Sequence, residues 1–253
     1  SSGFAKIVPN WQKIARCFTK PAAHGMMRAG KSAGGTRVQW AERVRAYVRM
    51  HGAGYTLRRA GEMLAARVLL RDEWRFRREK ASKRELAVQR AHPFPNVRIS
   101  VVVPVFNTRP KFLRALADSL LAQTHGAWEV CLYDGGSTSA ETRKALEAIA
   151  ARDSRFHIAF GVENAGISGN TNRAIKMATG EYIALCDHDD VLAPDALWRI
   201  AEAIDAHHPD VLYTDEDKLT THGAIHVDAH RKPDFCPDNL RSGNYICHLS
   251  VIR

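Results

Sequence analysis

The stretch Asp187-His188-Asp189-Asp190 gathers three carboxylates within four residues, directly after the apolar run Tyr182 to Leu185. Carboxylates this close repel one another, and a hard divalent cation removes the repulsion. Mg²⁺ or Mn²⁺ held by one or two carboxylates completes its shell with phosphate oxygens, so the chemistry indicated is neutralisation of a diphosphate. Taken alone, the same stretch also reads as a solvated acidic turn, or as Asp190 capping the next helix. Three further strand-like runs end in polar or special residues. They are Pro104-Val105-Phe106-Asn107-Thr108, Tyr133-Asp134-Gly135-Gly136-Ser137-Thr138, and the loop Glu163 to Ser168 after the third run. A carboxylate at 134 can accept a hydrogen bond from a base edge such as an imide N–H. Gly135 and Gly136 let a ligand approach the backbone closely. Asn164, Gly166 and Asn172 lie around the start of a helix, whose free N–H groups suit a phosphate or a base. Loop and capping chemistry would use the same three residues.

Such residues act together only if a scaffold brings them to one edge, and the periodicity after Pro95 predicts that scaffold. Arg98 to Pro104 is a β-branched run, the pattern of a strand buried on both faces. Helices are expected at 110–123, 140–151, 168–178 and 194–207, with strands at 128–133, 156–160, 182–186 and 211–214. Thr138 and Glu141 have capping-box spacing at the second of these helices. Strands alternating with helices predict an α/β fold, a mostly parallel sheet covered on both faces. Ligands in such sheets bind outside the carboxyl ends of the strands, where the loaded residues fall. Before Pro95 the pattern is helical from about residue 37. Residues 1–36 read as a flexible segment broken by glycine and proline. The expected organisation is therefore 1–36 flexible, 37–95 a basic helical region, and 96–253 the α/β domain.

Charge follows the same division. Residues 1–98 hold 22 Lys and Arg against 6 Asp and Glu, and residues 99–253 hold 15 against 21. An argument for nucleic acid or an anionic membrane therefore applies only to the first part. The arginines of 37–90 read first as a solvated helical face and second as a peripheral membrane contact, and no nucleic acid is expected. No apolar run approaches the roughly 18 residues of a membrane span. The five scattered cysteines form no C-x-x-C pair, which points to a reducing compartment, the cytoplasm. His222, His226 and His230 would form a ladder only on a helix, and Gly223, Ile225 and Val227 argue against one there, leaving a His-rich loop. His248 reads either as a partly buried structural histidine or as a group of the site.

Together, Val101 to Asn107, Asp134 to Thr138, Asn164-Ala165-Gly166 with Asn172, Ala178 to Ile183 and Asp187 to Asp190 resemble a family 2 glycosyltransferase of the GT-A fold, over about residues 98–253. Tyr213 to Lys218, Lys232-Pro233 and Asn244-Tyr245 look like the branch that builds bacterial surface polysaccharides, rhamnosyltransferases among them. The resemblance implies a Rossmann-like sheet and inverting transfer from a UDP- or dTDP-linked sugar to a glycan or lipid-linked acceptor. It also implies that Pro104, Phe106 and Asn107 line the nucleotide, that Asp134 contacts the base, and that Asn164, Gly166 and Asn172 lie near the nucleoside. Asp187 and Asp189 become the D-x-D pair at Mg²⁺ or Mn²⁺, with Asp189 the direct ligand, Asp187 at the ribose or a metal-bound water, and His188 beside them at the donor. The family's general base lies downstream of the part matching Asn244 to Arg253, so a fragment of a longer enzyme is expected. Asp215, Glu216 and Asp217 are weak substitutes for that base, and a donor-binding module without turnover is the alternative.

Overall fold

The computed structural model describes residues 16–19, 45–58, 60–61, 73, 76–77, 79–220 and 225–253. In chain order the elements are β1 (Arg16–Thr19), α1 (Lys83–Ala91), β2 (Ile99–Val105), α2 (Pro110–Leu121), β3 (Trp128–Asp134) and α3 (Ala140–Ala150). They continue with β4 (Phe156–Phe160), α4 (Gly166–Ile175), β5 (Tyr182–Leu185), β6 (Val191–Leu192) and α5 (Ala196–His207). Last come β7 (Val211–Tyr213), β8 (Asp215–Leu219), β9 (His226–His230), α6 (Pro237–Ser242) and β10 (Ser250–Ile252). Residues 45–51 and 53–58 are also helical.

The β-branched run makes β2 the centre of a six-stranded sheet ordered β4-β3-β2-β5-β10-β7. β4, β3, β2 and β5 pair in parallel, and β10 runs antiparallel to both β5 and β7. The twofold strand period divides the core between the two faces. Val101, Val103, Val105, Val130 and Leu132 pack with Leu113 and Leu116 of α2, Leu146 of α3, and Leu197 and Ile200 of α5. Val102 and Cys131 point the other way, against Ala174 of α4. Helices therefore cover both faces. Inside β3, Glu129 is buried and accepts from Ser100 Oγ at 2.6 Å, Thr179 N at 2.6 Å and Arg98 Nη2 at 2.9 Å. Burial alone would raise this carboxyl, but those donors outweigh it and pull it down to about 2.

Two helix starts differ from expectation. The cap of α3 is Ser139, whose hydroxyl accepts from Thr142 N at 3.3 Å, and not Thr138. Thr138 donates instead to Asn107 Oδ1, from its N at 3.0 Å and its Oγ1 at 3.3 Å. α4 begins at Gly166 because Asn164 Oδ1 accepts its N–H at 3.0 Å and closes the turn there.

A second sheet, ordered β6-β1-β8-β9, lies beyond the sequence pattern. β1 falls inside the segment expected to be flexible, where its main chain pairs parallel to β8 and antiparallel to β6. The rest of residues 1–36 lies outside the described residues. β9 carries His226 and His230 on an antiparallel strand where a loop was expected, since Ile225 and Val227 favour extended backbone. His222 lies outside the described residues. The basic helical region packs against this sheet. Glu73 accepts from His226 N at 2.8 Å, the Phe76 ring stacks on His226 with centroids 3.4 Å apart, and Arg231 pairs with Glu79. Packing also crosses Pro95: Thr124 Oγ1 donates to Gln89 at 2.9 Å, and Trp198 Nε1 donates to His92 O at 3.0 Å. Among the described residues no helix is long and apolar enough to cross a membrane.

Candidate functional site

β3 and β5 both flank β2 in parallel, so Asp134 and the 187–190 turn leave the sheet at the same edge. Asp134 ends β3 fully buried. Its Oδ1 accepts from Ser137 N at 3.1 Å and from Ser137 Oγ. Among the described residues its Oδ2 has no hydrogen-bond partner, and the nearest cation is Arg143 Nη1 at 3.9 Å. That guanidinium lies over the Phe160 ring, 4.7 Å from its centroid. Pro104 is partly buried and Phe106 exposed at the adjoining end of β2. Asn107, expected to line a nucleotide, has its side-chain oxygen engaged. Oδ1 accepts from Thr138 and from Ser139 N at 3.0 Å, so the residue ties the loop after β2 to the loop after β3.

The acidic turn meets a residue sixty positions further along. Among the described residues, Asp187, Asp190 and His248 form the group able to hold a metal ion, with ligand atoms within 4.8 Å of one another. His248 Nε2 stands 3.2 Å from Asp187 Oδ2, and Nδ1 stands 4.0 Å from Asp190 Oδ2. Asp187 is exposed, whereas Asp190 is only 2% accessible. The hydrogen bond to Asp187, opposed by burial and helped by the charges of Asp190 and Glu216, raises the imidazole to about 8. Asp189 is outside the group, with its carboxylate 3.8 Å from His188 Nδ1. Two carboxylates and an imidazole are a donor set that Mn²⁺ accepts readily, and Mg²⁺ through the oxygens.

Around the start of α4, Asn164 Oδ1 also accepts from Asn170 Nδ2 at 2.8 Å, while Gly166 and Asn172 are exposed. On β8, Asp215 accepts from Lys232 N at 2.9 Å and Arg231 Nη1 at 3.0 Å. Glu216 takes His230 Nδ1 at 3.0 Å and His248 N at 3.2 Å, and Asp217 is buried against His226 Nδ1 at 3.0 Å.

Residues 100–218 match the profile described as Glycosyl transferase family 2. This part of the chain belongs to that family. Over 155 residues the chain is 48% identical to the uncharacterized protein y4gI of Sinorhizobium fredii, covering 60% of this chain and 17% of that protein. The O-antigen biosynthesis protein RfbC of Myxococcus xanthus is 34% identical over 162 residues, 61% of this chain and 12% of its own length. The putative teichuronic acid biosynthesis glycosyltransferase TuaG of Bacillus subtilis is 34% identical over 104 residues, 41% of this chain and 40% of its own. The chain thus spans less than half the length of each of these relatives.

Sequence reasoning missed two residues of this candidate site. Asp190 counts in sequence among the three carboxylates of the turn but not as a named ligand, and its near-complete burial beside His248 cannot be read from its neighbours. Asn170 was passed over, although Gly135 signals it: a Cβ on that glycine would stand 2.3 Å from Asn170 Nδ2. His248, whose sequence allows a structural or a site role, stands at the acidic turn.

Proposed function

We propose that the family 2 domain binds a nucleotide-sugar donor across the ends of β3 and β5 and transfers its sugar, with inversion, to a glycan or lipid-linked acceptor in bacterial surface-polysaccharide synthesis. The observation that carries this reading is Asp134 Oδ2, buried and without a hydrogen bond among the described residues, with the Arg143 guanidinium no nearer than 3.9 Å. A buried acceptor without a donor is costly, and the imide N–H of uracil or thymine would satisfy it. Pro104 and the exposed Phe106 ring supply apolar surface for such a base. UDP- or dTDP-linked sugars fit that chemistry. Asp187, Asp190 and His248 would hold Mg²⁺ or Mn²⁺, with Asp189 adding a partly exposed carboxylate on the same turn. A cation bound there supplies charge neutralisation for the leaving diphosphate.

Transfer also needs a base to take the proton of the acceptor hydroxyl. Asp215, Glu216 and Asp217 each already accept from protein donors, which favours a role in organising the β8–β9 hairpin. The same pairing supports a second reading, donor binding by this domain without turnover. The basic balance before residue 99, with Met50, Tyr55 and Leu57 exposed, supports peripheral contact with an anionic membrane face. The names of the O-antigen and teichuronic acid relatives support the polysaccharide assignment.

Calorimetric titration of UDP- and dTDP-sugars, with and without Mn²⁺, tests the donor site. Mn²⁺ should tighten binding about tenfold, an increment lost in Asp187→Ala and Asp189→Ala. Asp134→Ala should remove binding under both conditions. Titrations indifferent to the metal and to Asp134 would overturn the proposal.

A further inference from the structure

We propose that Lys232 is a positioning residue that aims His248 at the acidic turn and so sets the affinity of that turn for a divalent cation. This rests on the reading of Asp187, Asp190 and His248 as a cation site. The Lys232 side chain is only 1% exposed, and a buried ammonium persists only where acceptors surround it. Its Nζ donates to the carbonyls of Ile246 and His248 and lies 3.9 Å from Glu216 Oε2. The same Glu216 oxygen accepts from His248 N at 3.2 Å. Both main-chain polar groups of His248 are therefore held by one buried ion pair. The imidazole of the residue so held stands 3.2 Å from Asp187.

The pair is itself anchored at both ends. Lys232 N donates to Asp215 Oδ1 at 2.9 Å, and Glu216 Oε1 takes His230 Nδ1 at 3.0 Å. The 246–248 segment lies in no helix or strand. Asn244 holds the N–H groups of residues 246 and 247 and Thr214 holds Leu249, while the N–H and carbonyl of His248 itself go to Glu216 and Lys232. Removing the ammonium leaves two carbonyls and a carboxylate without their cation, and the segment must turn to find other donors. A ligand nitrogen displaced in that way costs metal affinity, although Lys232 itself touches no metal.

Lys232→Met keeps the apolar stem and removes the charge. Mn²⁺ titration of the 253-residue chain should show affinity lowered about tenfold. Pulsed EPR of the bound Mn²⁺ should lose the nitrogen modulation that His248 contributes, as it does in His248→Ala. The double variant Lys232→Met/His248→Ala should bind no more weakly than His248→Ala alone. Lys218→Met, on the same hairpin, should keep wild-type affinity. Glu216→Gln, which retains an acceptor for His248 N but not the paired charge, should move both readouts the same way, and it decides the matter should Lys232→Met fail to fold. Wild-type affinity and modulation in the Lys232 and Glu216 variants, beside an impaired His248→Ala, would overturn the proposal and leave the cation site standing. Additive losses in the double variant would overturn it too. A wild-type chain that binds no Mn²⁺ removes the cation site itself, and this role with it.

Discussion

Glu129 accepts from Ser100, Thr179 and Arg98 while buried in β3. Replacing it with Gln puts an amide donor against N–H and O–H donors, and costs about 1–3 kcal/mol. The pH dependence follows from the depressed carboxyl. Because the native value is about 2 and the unfolded value lies near the ordinary 4.5, the charged form stabilises the fold above about pH 4.5, and this contribution is lost as pH falls through 2. Urea melts at pH 7 and pH 3 should show the gap between wild type and Glu129→Gln narrowing at the lower pH. Nothing in Trp128-Glu129-Val130 foretells this, since the Arg98, Ser100 and Thr179 donors come from other elements. Asp134 was legible by contrast, because an acid before two glycines at a strand end is a local signal.

Gly135 joins two elements, the end of β3 and the first turns of α4. A methyl group there meets the Asn170 amide, which donates to Asn164 and accepts from Ala165 N at 3.3 Å. Gly135→Ala should therefore displace the 163–166 loop, cost roughly 1–3 kcal/mol, and weaken nucleotide-sugar binding in the same titrations. Unchanged stability and affinity would show that Asn170 swings away freely. The elements of the parallel sheet were readable because β-branched runs and amphipathic helices carry their own period, as in β2 and α2. β8 and β10 were not. Asp215-Glu216-Asp217-Lys218 has no apolar alternation, and β10 has three residues, too few to show a period. Both depend on partners far away in the chain. For the same reason the approach of His248 to Asp187 was invisible before the sheet was known.

At the scale of the molecule, the basic helical region is tied to the second sheet by Phe76 and Glu73 at His226 and by Glu79 at Arg231. Truncating the Phe76 ring should loosen that attachment by about 1–2 kcal/mol. Limited proteolysis before residue 80 should then speed roughly tenfold in Phe76→Ala, with the thermal melt of the six-stranded sheet unchanged. An equal rate would mean that the ring contributes nothing to docking.

Among the described residues β7 joins the large sheet only through β10, and β10 is translated some forty residues after it. On the ribosome, β5 and β7 therefore emerge with bare edges and stay so until residue 252 clears the exit tunnel. The segment that closes this gap also delivers His248, so seating β10 and bringing His248 to the acidic turn become a single event. A nascent chain stalled before that point would present two open β edges to its neighbours, the kind of surface that chaperones cover.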